Sequence, residues 1–405
     1  MSRPTFSRRG TFWSAAAVLA LCLWASGAPS VLYPVYAADW GLPSVVTTSV
    51  FATYPLTLLL MLLFAGGLSD VIGRRRAMLI SIVLIGLGAG LFAIATNVGV
   101  LFAGRAVQGI GVGFAFSAAS ASLVENTVFT SPRAAGAVTT LSTSGGLTLS
   151  LVVGGALAQL LPWPLVLAHV VLAVVALLSF LLVYCTPDDR PAGSRFLPEL
   201  PRAAPGTLGA VTTATLGVVV AYAVGAVFMS LGAQMARQLA GTGDLFITGL
   251  LLGLSSAVIG TTALLIGRVP SVVATLIGAV VSLIGLIPMV VTAATGSFVQ
   301  FLLWCVISGA GYSFSFSGGI SLAAKESPPS HRARTFSLVY LIAYLLQTVV
   351  AVGAGALATA LGLAAAIDWI APVLAVLSAA LLVGSLAGIR KARQGKLQRV
   401  PALTS

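Results

Sequence analysis

Long apolar segments separated by short polar breaks run along almost the whole chain. They fall near 12–36, 45–66, 77–96, 99–124, 135–160, 164–185, 208–235, 245–266, 271–293, 298–323, 335–362 and 367–388. Each is long enough for a helix to cross the roughly 30 Å hydrocarbon layer of a bilayer. The pattern predicts an all-α polytopic membrane protein with twelve transmembrane helices.

Composition favours the same class of protein. The chain has 405 residues, of which 58% are hydrophobic and only 7% are charged. Charges this sparse could not cover the surface of a soluble protein of that size. The net charge of +12 comes from cations in the short breaks, where they orient membrane helices. We therefore expect the lipid bilayer as a partner, and no nucleic acid.

The placement of the cations also predicts the topology. With the first residues inside, the arginines and lysines fall in breaks on that same side, and only Arg105 and Arg237 lie elsewhere. A wrong helix count would scatter the cations to both sides. We expect a multi-pass protein of the cell (inner) membrane with both termini cytoplasmic. The basic start and first segment could also be a signal peptide, but the segment is too long for a signal core.

The fourth and tenth segments repeat each other. Five residues are identical at positions 200 apart, namely Gly109/Gly309, Gly111/Gly311, Phe114/Phe314, Phe116/Phe316 and Ser117/Ser317. A repeat of this kind predicts two six-helix bundles in the same orientation, related by an axis along the membrane normal. The predicted units are an N-terminal bundle at 1–185, a cytoplasmic linker at 186–207, a C-terminal bundle at 208–389 and a cytoplasmic tail at 390–405.

The break between the second and third segments carries a specific motif. Residues 66–76 read GGLSDVIGRRR, which resembles the loop 2–3 motif of the major facilitator superfamily, G-x-L-x-D-x-x-G-R-R/K. The resemblance identifies the chain as a member of that superfamily. It implies a secondary transporter that holds its substrate near the membrane midplane between two bundles and alternates access by a rocker-switch motion.

The resemblance further implies a conformational lock formed by Gly66, Asp70, Gly73, Arg74 and Glu125. Gly66 would permit close helix packing, and Gly73 would permit the sharp reversal before the third helix. Asp70 would lie against the amino terminus of the eleventh helix, where the helix dipole favours an anion. Arg74 would pair with Glu125. These contacts would hold the bundles together on the cytoplasmic side in the outward-open state.

Polar residues within the fourth segment are candidates for transport chemistry. Arg105 and Gln108 share a helix face, and a cation within the hydrocarbon layer is costly unless it meets water or a partner. We interpret both residues as a substrate contact or proton relay in the central cavity. A buried structural tie to a backbone carbonyl is the alternative for Arg105. Every carboxylate falls outside the mid-membrane region, and Asp39 is the nearest substitute for a coupling acid.

Aromatic and amide side chains are candidates for the cavity wall. In the superfamily the first, fourth, seventh and tenth helices line the cavity, and two residues on one face of the eleventh are added here. The candidates are Trp24, Tyr33, Tyr222, Met229, Trp304, Tyr312, Tyr344 and Gln347. We expect about half of them to pack between helices instead. Such a cavity, with a single cation, suits lipophilic or weakly anionic molecules.

The fifth segment resembles the antiporter motif of the superfamily only in part. Gly146, Gly154 and Gly155 match its glycines and are expected to permit close helix packing. Ser150 and Leu151 stand where the motif has Gly-Pro, which removes the expected kink and weakens the assignment to the proton-antiport branch. Residues 32–42, by contrast, resemble the drug-efflux branch.

These patterns predict a secondary active transporter that exports a small lipophilic compound or drug by proton antiport, nearest to the bacterial twelve-helix drug:proton antiporters. Uptake or facilitated diffusion of a small metabolite is an alternative, as is a non-transporting receptor or scaffold on the same fold. No paired acids, metal-ligand cluster or activated nucleophile indicates an enzyme, and Cys22, Cys185 and Cys305 indicate no disulfide framework. We expect a small-molecule substrate, no cofactor, a proton gradient as the energy source, and function as a monomer.

Overall fold

The computed structural model describes residues 5–65, 68–129, 132–187, 201–328 and 331–397. The helices within these ranges are α1 (Arg8–Gly27), α2 (Tyr33–Trp40), α3 (Ser44–Ala65), α4 (Leu68–Ile72), α5 (Arg74–Ala93), α6 (Val98–Glu125), α7 (Pro132–Leu160), α8 (Pro164–Tyr184), α9 (Leu208–Gln238), α10 (Leu245–Ile266), α11 (Ser271–Thr295), α12 (Phe298–Glu326), α13 (Arg332–Leu361) and α14 (Leu363–Leu397). Twelve of them are long and apolar enough to span a membrane. The predicted all-α polytopic fold is confirmed.

The first apolar segment is not one helix, as the sequence pattern predicted, but two. It breaks into α1 and α2, with a turn over residues 28–32 between them. Pro29 has no N–H to donate to the carbonyl of Ala25, four residues earlier, so one hydrogen bond of the α-helical ladder is missing there. The amide of Ser30 turns instead to the carbonyl of Gly27, at 2.9 Å.

Polar residues in the short breaks start several of the membrane helices. The side chain of Asn97 accepts from the backbone N–H of Val100 at 3.2 Å, at the start of α6. That of Asp244 accepts from two N–H groups at the start of α10, at 2.7 and 3.1 Å. These caps satisfy donors that have no partner within the helix. Short capped breaks therefore place consecutive helices antiparallel across the bilayer.

The helices pack in two groups. One contains α1, α3 and α5–α8, and the other contains α9–α14; α7 on α10 and α3 on α13 supply the main packing between them. The predicted bundle boundaries fall in the same place along the chain and remain predictions. Most of the predicted linker, at 188–200, lies outside the described residues. The predicted tail begins within α14, which continues to Leu397, and residues 398–405 lie outside the described part.

The internal repeat reappears in the packing of the two groups. A Cβ added to Gly109 of α6 would lie 2.5 Å from the carbonyl oxygen of Tyr54 on α3, and one added to Gly309 of α12 would lie 2.6 Å from that of Ser255 on α10. Each glycine therefore lets its helix touch the backbone of a neighbour. Residues at equivalent positions of the repeat thus make equivalent close contacts between helices in the two groups, as expected for the predicted parallel repeat.

The two ends of the helical assembly are named by the residues that meet there. At one, called the terminal end, the backbone N–H of Phe6 donates to the carbonyl of Cys185 at 2.7 Å, and Arg8 donates to the carbonyl of Glu125 at 3.3 Å. The other, called the opposite end, contains the starts of α3 and α10 and the carboxyl-terminal ends of α7 and α13. On the predicted topology the terminal end faces the cytoplasm.

Candidate substrate cavity

A cavity of about 590 Å³ lies between the two groups of helices. Its wall is formed by residues of α1, α3, α6 and α7 on one side and of α9, α10, α12 and α13 on the other. On α3 the wall begins at Phe51 and reaches Leu63, and on α13 it runs from Phe336 to Gln347. Because these stretches exclude the ends of α3 and α13 that meet at the opposite end, the cavity lies between the middle of the bundle and the terminal end.

Direct hydrogen bonds join the two groups at the opposite end. The backbone N–H of Val45 on α3 donates to Thr359 Oγ1 on α13, at 2.9 Å. The backbone N–H of Leu245 on α10 donates to Gln159 Oε1 on α7, also at 2.9 Å. Both donors are first-turn N–H groups that have no partner within their own helix. With the opposite end tied in this way and the cavity at the terminal end, the arrangement corresponds to an inward-facing state on the predicted topology.

The two hydrogen bonds are copies of each other under the internal repeat. Val45 and Leu245 are 200 positions apart, and so are Gln159 and Thr359. A glycine four residues before each acceptor, Gly155 or Gly355, lies against the start of the donor helix. A Cβ on Gly155 would lie 2.5 Å from the carbonyl oxygen of Leu245. We call these two contacts the paired ties. The sequence analysis did not predict them, although the identity of the two glycines at the repeat spacing was a usable signal.

An aromatic surface covers the part of the wall contributed by the second group. Tyr222 of α9 is nearly parallel to Phe316 of α12, with ring centroids 5.8 Å apart and planes 11° apart. Tyr312 is tilted by 22° from each of them, at 6.4 and 6.0 Å. Tyr344 of α13 lies 4.9 Å from Tyr222, whose hydroxyl donates to the Tyr344 hydroxyl at 3.3 Å. The wall therefore presents several rings in similar orientation.

The rest of the wall is apolar or carries hydroxyl groups. Serines of α7, α10 and α12 line it, and several of them donate to backbone carbonyls, as Ser313 Oγ does to that of Ile259 at 2.9 Å. The side-chain oxygen of Gln347 is buried and has no hydrogen-bond partner among the described residues. None of the described residues that line the cavity is charged. The described wall therefore offers hydrogen bonds and ring faces but no ion pair.

Five of the eight residues predicted to face the cavity do line it, and three do not. Those in the wall are Tyr222, Met229, Tyr312, Tyr344 and Gln347. Trp304 is only 1% exposed and packs against Phe228 and Phe301, with centroids 5.0 and 5.4 Å away. Trp24 packs against the core of the first group, and Tyr33 is buried beside Arg105. Aromatic residue type alone could not separate wall from core, because both environments favour it.

Arg105 and Gln108, predicted to contact substrate or relay protons, lie behind the wall. Both are 0% exposed, and neither lines the cavity. Arg105 donates to the hydroxyl of Tyr33 at 2.7 Å and to the carbonyls of Ala25 and Ser26 at 3.3 and 3.2 Å. These are the two carbonyls that the break after α1 leaves without helical donors. The geometry therefore matches the alternative, a buried tie to backbone carbonyls.

The predicted coupling acid also lies away from the cavity. Asp39 is exposed near the end of α2 and is not in the wall. His169 of α8, whose imidazole could also carry a proton, is fully buried and stacks on Phe92 with ring centroids 4.7 Å apart. Neither residue reaches the space that a substrate would occupy in this conformation.

The loop 2–3 residues form a charged cluster at the terminal end. Arg74 pairs with Asp70 one turn earlier and with Glu125 at the end of α6, at 3.1 Å. Gly73 has a φ of +93°, a conformation that favours glycine, and this lets α5 reverse direction directly after α4. Gly66 lies outside the described residues. The predicted contact of Asp70 with the start of the eleventh membrane helix, which is α13 here, stays a prediction.

The three predicted packing glycines of α7 differ in their surroundings. A Cβ on Gly146 would overlap the backbone carbonyl of Ala20 on α1, and Gly155 is packed as closely on α10. A Cβ on Gly154 would lie 3.8 Å from the carbonyl oxygen of Ala28, which is ordinary contact. The packing therefore requires the absence of a side chain at Gly146 and Gly155, but not at Gly154.

Comparison with known proteins connects this architecture to transporters. The family profile of the Major Facilitator Superfamily matches residues 14–292. A puromycin resistance protein of Streptomyces alboniger is 34% identical over 177 residues, which cover 42% of this chain and 34% of that protein. A cephamycin export protein of Amycolatopsis lactamdurans is 31% identical over 194 residues, covering 47% of this chain and 39% of that protein. The chain thus matches well under half the length of these relatives.

Solved structures share the fold over almost the whole chain. A bacterial homologue of the human lysosomal transporter Spinster, in an inward-facing and unoccupied conformation, superposes with a TM-score of 0.72 at 14% identity, covering 95% of this chain and 98% of that one. A peptide transporter in complex with sulfate gives a TM-score of 0.74 at 17% identity, covering 95% and 94%. Likeness at these identities establishes the fold alone.

Proposed function

We propose, because the chain belongs to the Major Facilitator Superfamily, that this multi-pass transporter exports a small lipophilic compound by alternating access. The observation that carries the proposal is the cavity of about 590 Å³ between the two helix groups, walled by aromatic and hydroxyl side chains. A volume in this range holds a drug-sized molecule. Export is favoured by the relatives named for puromycin resistance and cephamycin export.

Rocking would expose the cavity to each side in turn. The paired ties at the opposite end would hold the inward-facing state. At the terminal end the pairs of Arg74 with Asp70 and Glu125 lie within the first group and are already formed in this structure, so closing that end in the outward-facing state would depend on the predicted contact of Asp70 with the start of α13. Each end would then have a contact between the groups that forms in one state and breaks in the other. A bistable arrangement of this kind is what a carrier needs in order to expose one site alternately.

Proton antiport is the proposed coupling, and one observation favours a second candidate. Because none of the described wall residues is charged, a proton carrier would have to be a carboxylate outside the wall, such as Asp39, Asp70 or Glu125. Facilitated diffusion of an uncharged compound needs no titrating group at all. The two candidates predict different proton movements and can be separated directly.

Proteoliposomes that contain a trapped pH-sensitive dye supply the test. Substrate added on one side of the membrane should move protons the opposite way under antiport, and the substrate should accumulate when a pH gradient is imposed. Substrate that equilibrates with no pH change, and that ignores an imposed gradient, would establish facilitated diffusion instead. Asp70→Asn is the companion variant, expected to insert normally and to transport poorly if the terminal-end cluster takes part in the cycle.

Location and assembly complete the proposal. We place the protein in the cell membrane, as a monomer, with both termini cytoplasmic, because the cations of the breaks collect on the terminal side. Cysteines introduced at the exposed residues Arg76 and Trp163, in a background without the three native cysteines, should react with a membrane-impermeant maleimide from opposite sides. Labelling of both from one side would contradict the topology.

A further inference from the structure

The residues of the cavity wall indicate the chemical class of the ligand more specifically than its lipophilicity. We propose that it binds an uncharged, flat aromatic molecule, stacked on the surface formed by Tyr222, Tyr312 and Phe316, with a hydroxyl or N–H group donating to Gln347. The inference rests on the proposed export function, because it names the class of compound that the same cavity would carry. It is argued from the electrostatics, shape and hydrogen-bonding of the wall.

The electrostatics disfavour a cation. None of the described wall residues is a carboxylate, and a positive charge lies close behind one wall residue. The guanidinium carbon of Arg105 lies 5.2 Å from the ring centroid of Tyr54, and Tyr54 lines the cavity. A cationic ligand would therefore meet an unneutralised positive charge across a single ring, in surroundings that screen it poorly.

An anion is disfavoured as well, although Arg105 is close. The guanidinium already donates to Tyr33, to Gln108 and to the two carbonyls at the end of α1. It is 0% exposed, so a ligand could not reach it without dismantling these bonds. An anion in the cavity would lose its hydration and gain no ion pair. The expectation of a weakly anionic substrate, which depended on Arg105 in the wall, loses its basis.

The shape of the wall favours a flat ring system. Tyr222, Tyr312 and Phe316 lie within 22° of one plane orientation, with centroids 5.8–6.4 Å apart. Nearly parallel rings at these spacings can accept a further parallel ring by offset stacking. A flat aromatic molecule can therefore align with them, whereas a flexible chain cannot use their alignment.

One unsatisfied atom indicates where the ligand carries a polar group. The side-chain oxygen of Gln347 is buried without a partner among the described residues, on the helix of Tyr344 and within the wall. Burying such an acceptor is unfavourable unless a donor reaches it. Because this oxygen is enclosed by protein while the residue itself lines the cavity, the proposal requires the terminal amide of Gln347 to turn toward the cavity. A hydroxyl or N–H group on the ligand would then satisfy the oxygen while the rings stack.

A matched set of three-ring fluorescent probes tests these statements on the unmodified protein in lipid nanodiscs. Acridone is uncharged with one N–H, N-methylacridone lacks the N–H, N-methylacridinium is a permanent cation and anthracene-9-carboxylate is an anion. We expect saturable binding of acridone, measured by fluorescence anisotropy and corrected with empty nanodiscs. The cation and the anion should bind at least about tenfold more weakly. A cation that binds as tightly as acridone, or no saturable binding of any probe, would overturn the proposal.

Variants locate the interaction. Gln347→Leu should weaken acridone binding roughly two- to tenfold and leave N-methylacridone unchanged, because only the former donates a hydrogen bond. Tyr222→Leu should weaken both uncharged probes by a similar factor. Phe298→Leu, which removes an exposed ring outside the wall, is the matched control. Equal effects of Gln347→Leu on both probes would refute the assignment of the donor.

The outcome also separates this inference from the proposed function. If acridone binds as expected but does not cross proteoliposomes, the export proposal fails and the ligand class stands. If instead a permanent cation is carried and acridone is not bound, transport stands and the ligand class fails.

Discussion

The paired ties make a quantitative prediction about the balance between inward- and outward-facing states. The double variant Gln159→Leu/Thr359→Val keeps side-chain size and removes both acceptors, at 2.9 Å from their donors. In the outward-facing state the freed N–H groups of Val45 and Leu245 would meet water. Each tie is therefore worth the net value of one hydrogen bond, about 0.5–1.5 kcal/mol.

Loss of both ties should destabilise the inward-facing state by about 1–3 kcal/mol, which shifts the equilibrium between the states roughly 5- to 150-fold. The shift can be measured as a distance distribution between spin labels at Thr96, between α5 and α6, and Leu361 at the end of α13, which are exposed at the opposite end on different helix groups. The native cysteines are first replaced by alanine. Each single variant should produce about half of the free-energy change, because the ties are copies and open together.

Thr295→Val is the control for this experiment. Its hydroxyl lies at the same end but donates to its own helix, at 2.7 Å from the carbonyl of Val291, so the distance distribution should not move. A folded double variant with the distribution of the parent protein would show that the ties do not bias the states. The same result would assign closure to the packing of α3 on α13 and α7 on α10 and to the remaining hydrogen bonds between Ser44 and Gln234.

Three further outcomes are expected. Gly355→Val should favour the outward-facing state more strongly than loss of the hydrogen bonds, because a Cβ at this position overlaps the side chain of Thr48; unchanged spin-label distances would contradict this. Arg105→Met should lower the free energy of unfolding by about 1–3 kcal/mol, because it leaves buried carbonyls without a hydrogen-bond donor. Arg105→Lys should recover only part of this loss, since an ammonium group lacks the planar donor arrangement of a guanidinium. Thermal unfolding in detergent measures both variants, and an unaltered transition for Arg105→Met would refute the structural role of Arg105. Arg74→Gln should change stability by less than about 1 kcal/mol, because the acidic partners of Arg74 are more than half exposed, yet it should slow transport in proteoliposomes. An unaltered rate would exclude the terminal-end cluster from the cycle.

Periodicity and composition were sufficient for the fold because the bilayer restricts the alternatives. Backbone polar groups must be satisfied within each membrane segment, so a long apolar run is nearly always a helix. The exception was the first segment, where Pro29 and Pro34 interrupt a run whose hydropathy does not change. Hydropathy measures transfer to lipid and is insensitive to a missing N–H. The prolines alone could not have located the break, because Pro55, Pro288 and Pro372 lie inside continuous helices of the same chain.

The residues that line the candidate cavity were harder to predict than the fold, because a cavity wall and the contact between two helices favour the same types of residue. Tyr312 and Trp304 lie two turns apart on α12 and were predicted to have the same role. Tyr312 lines the cavity, whereas Trp304 fills the core between Phe228 and Phe301. The difference depends on where α9 crosses α12, and no local pattern in the chain encodes that crossing.

The position of Arg105 connects the broken first segment with the electrostatics of the cavity. The break after α1 creates two carbonyls without helical donors, and an arginine from α6 supplies both donors from inside the protein. Once the guanidinium is committed there, its charge is fixed behind Tyr54 and unavailable to a ligand. A structural requirement of the first helix would thus set the charge preference that we propose for the cavity, and a substitution that frees Arg105 from α1 should make binding of anions more favourable.

Pro29→Ala, which restores an N–H for the carbonyl of Ala25, tests this coupling. We expect anthracene-9-carboxylate to gain affinity relative to acridone in that variant, and an unchanged ratio of the two affinities would show that the break and the cavity are independent.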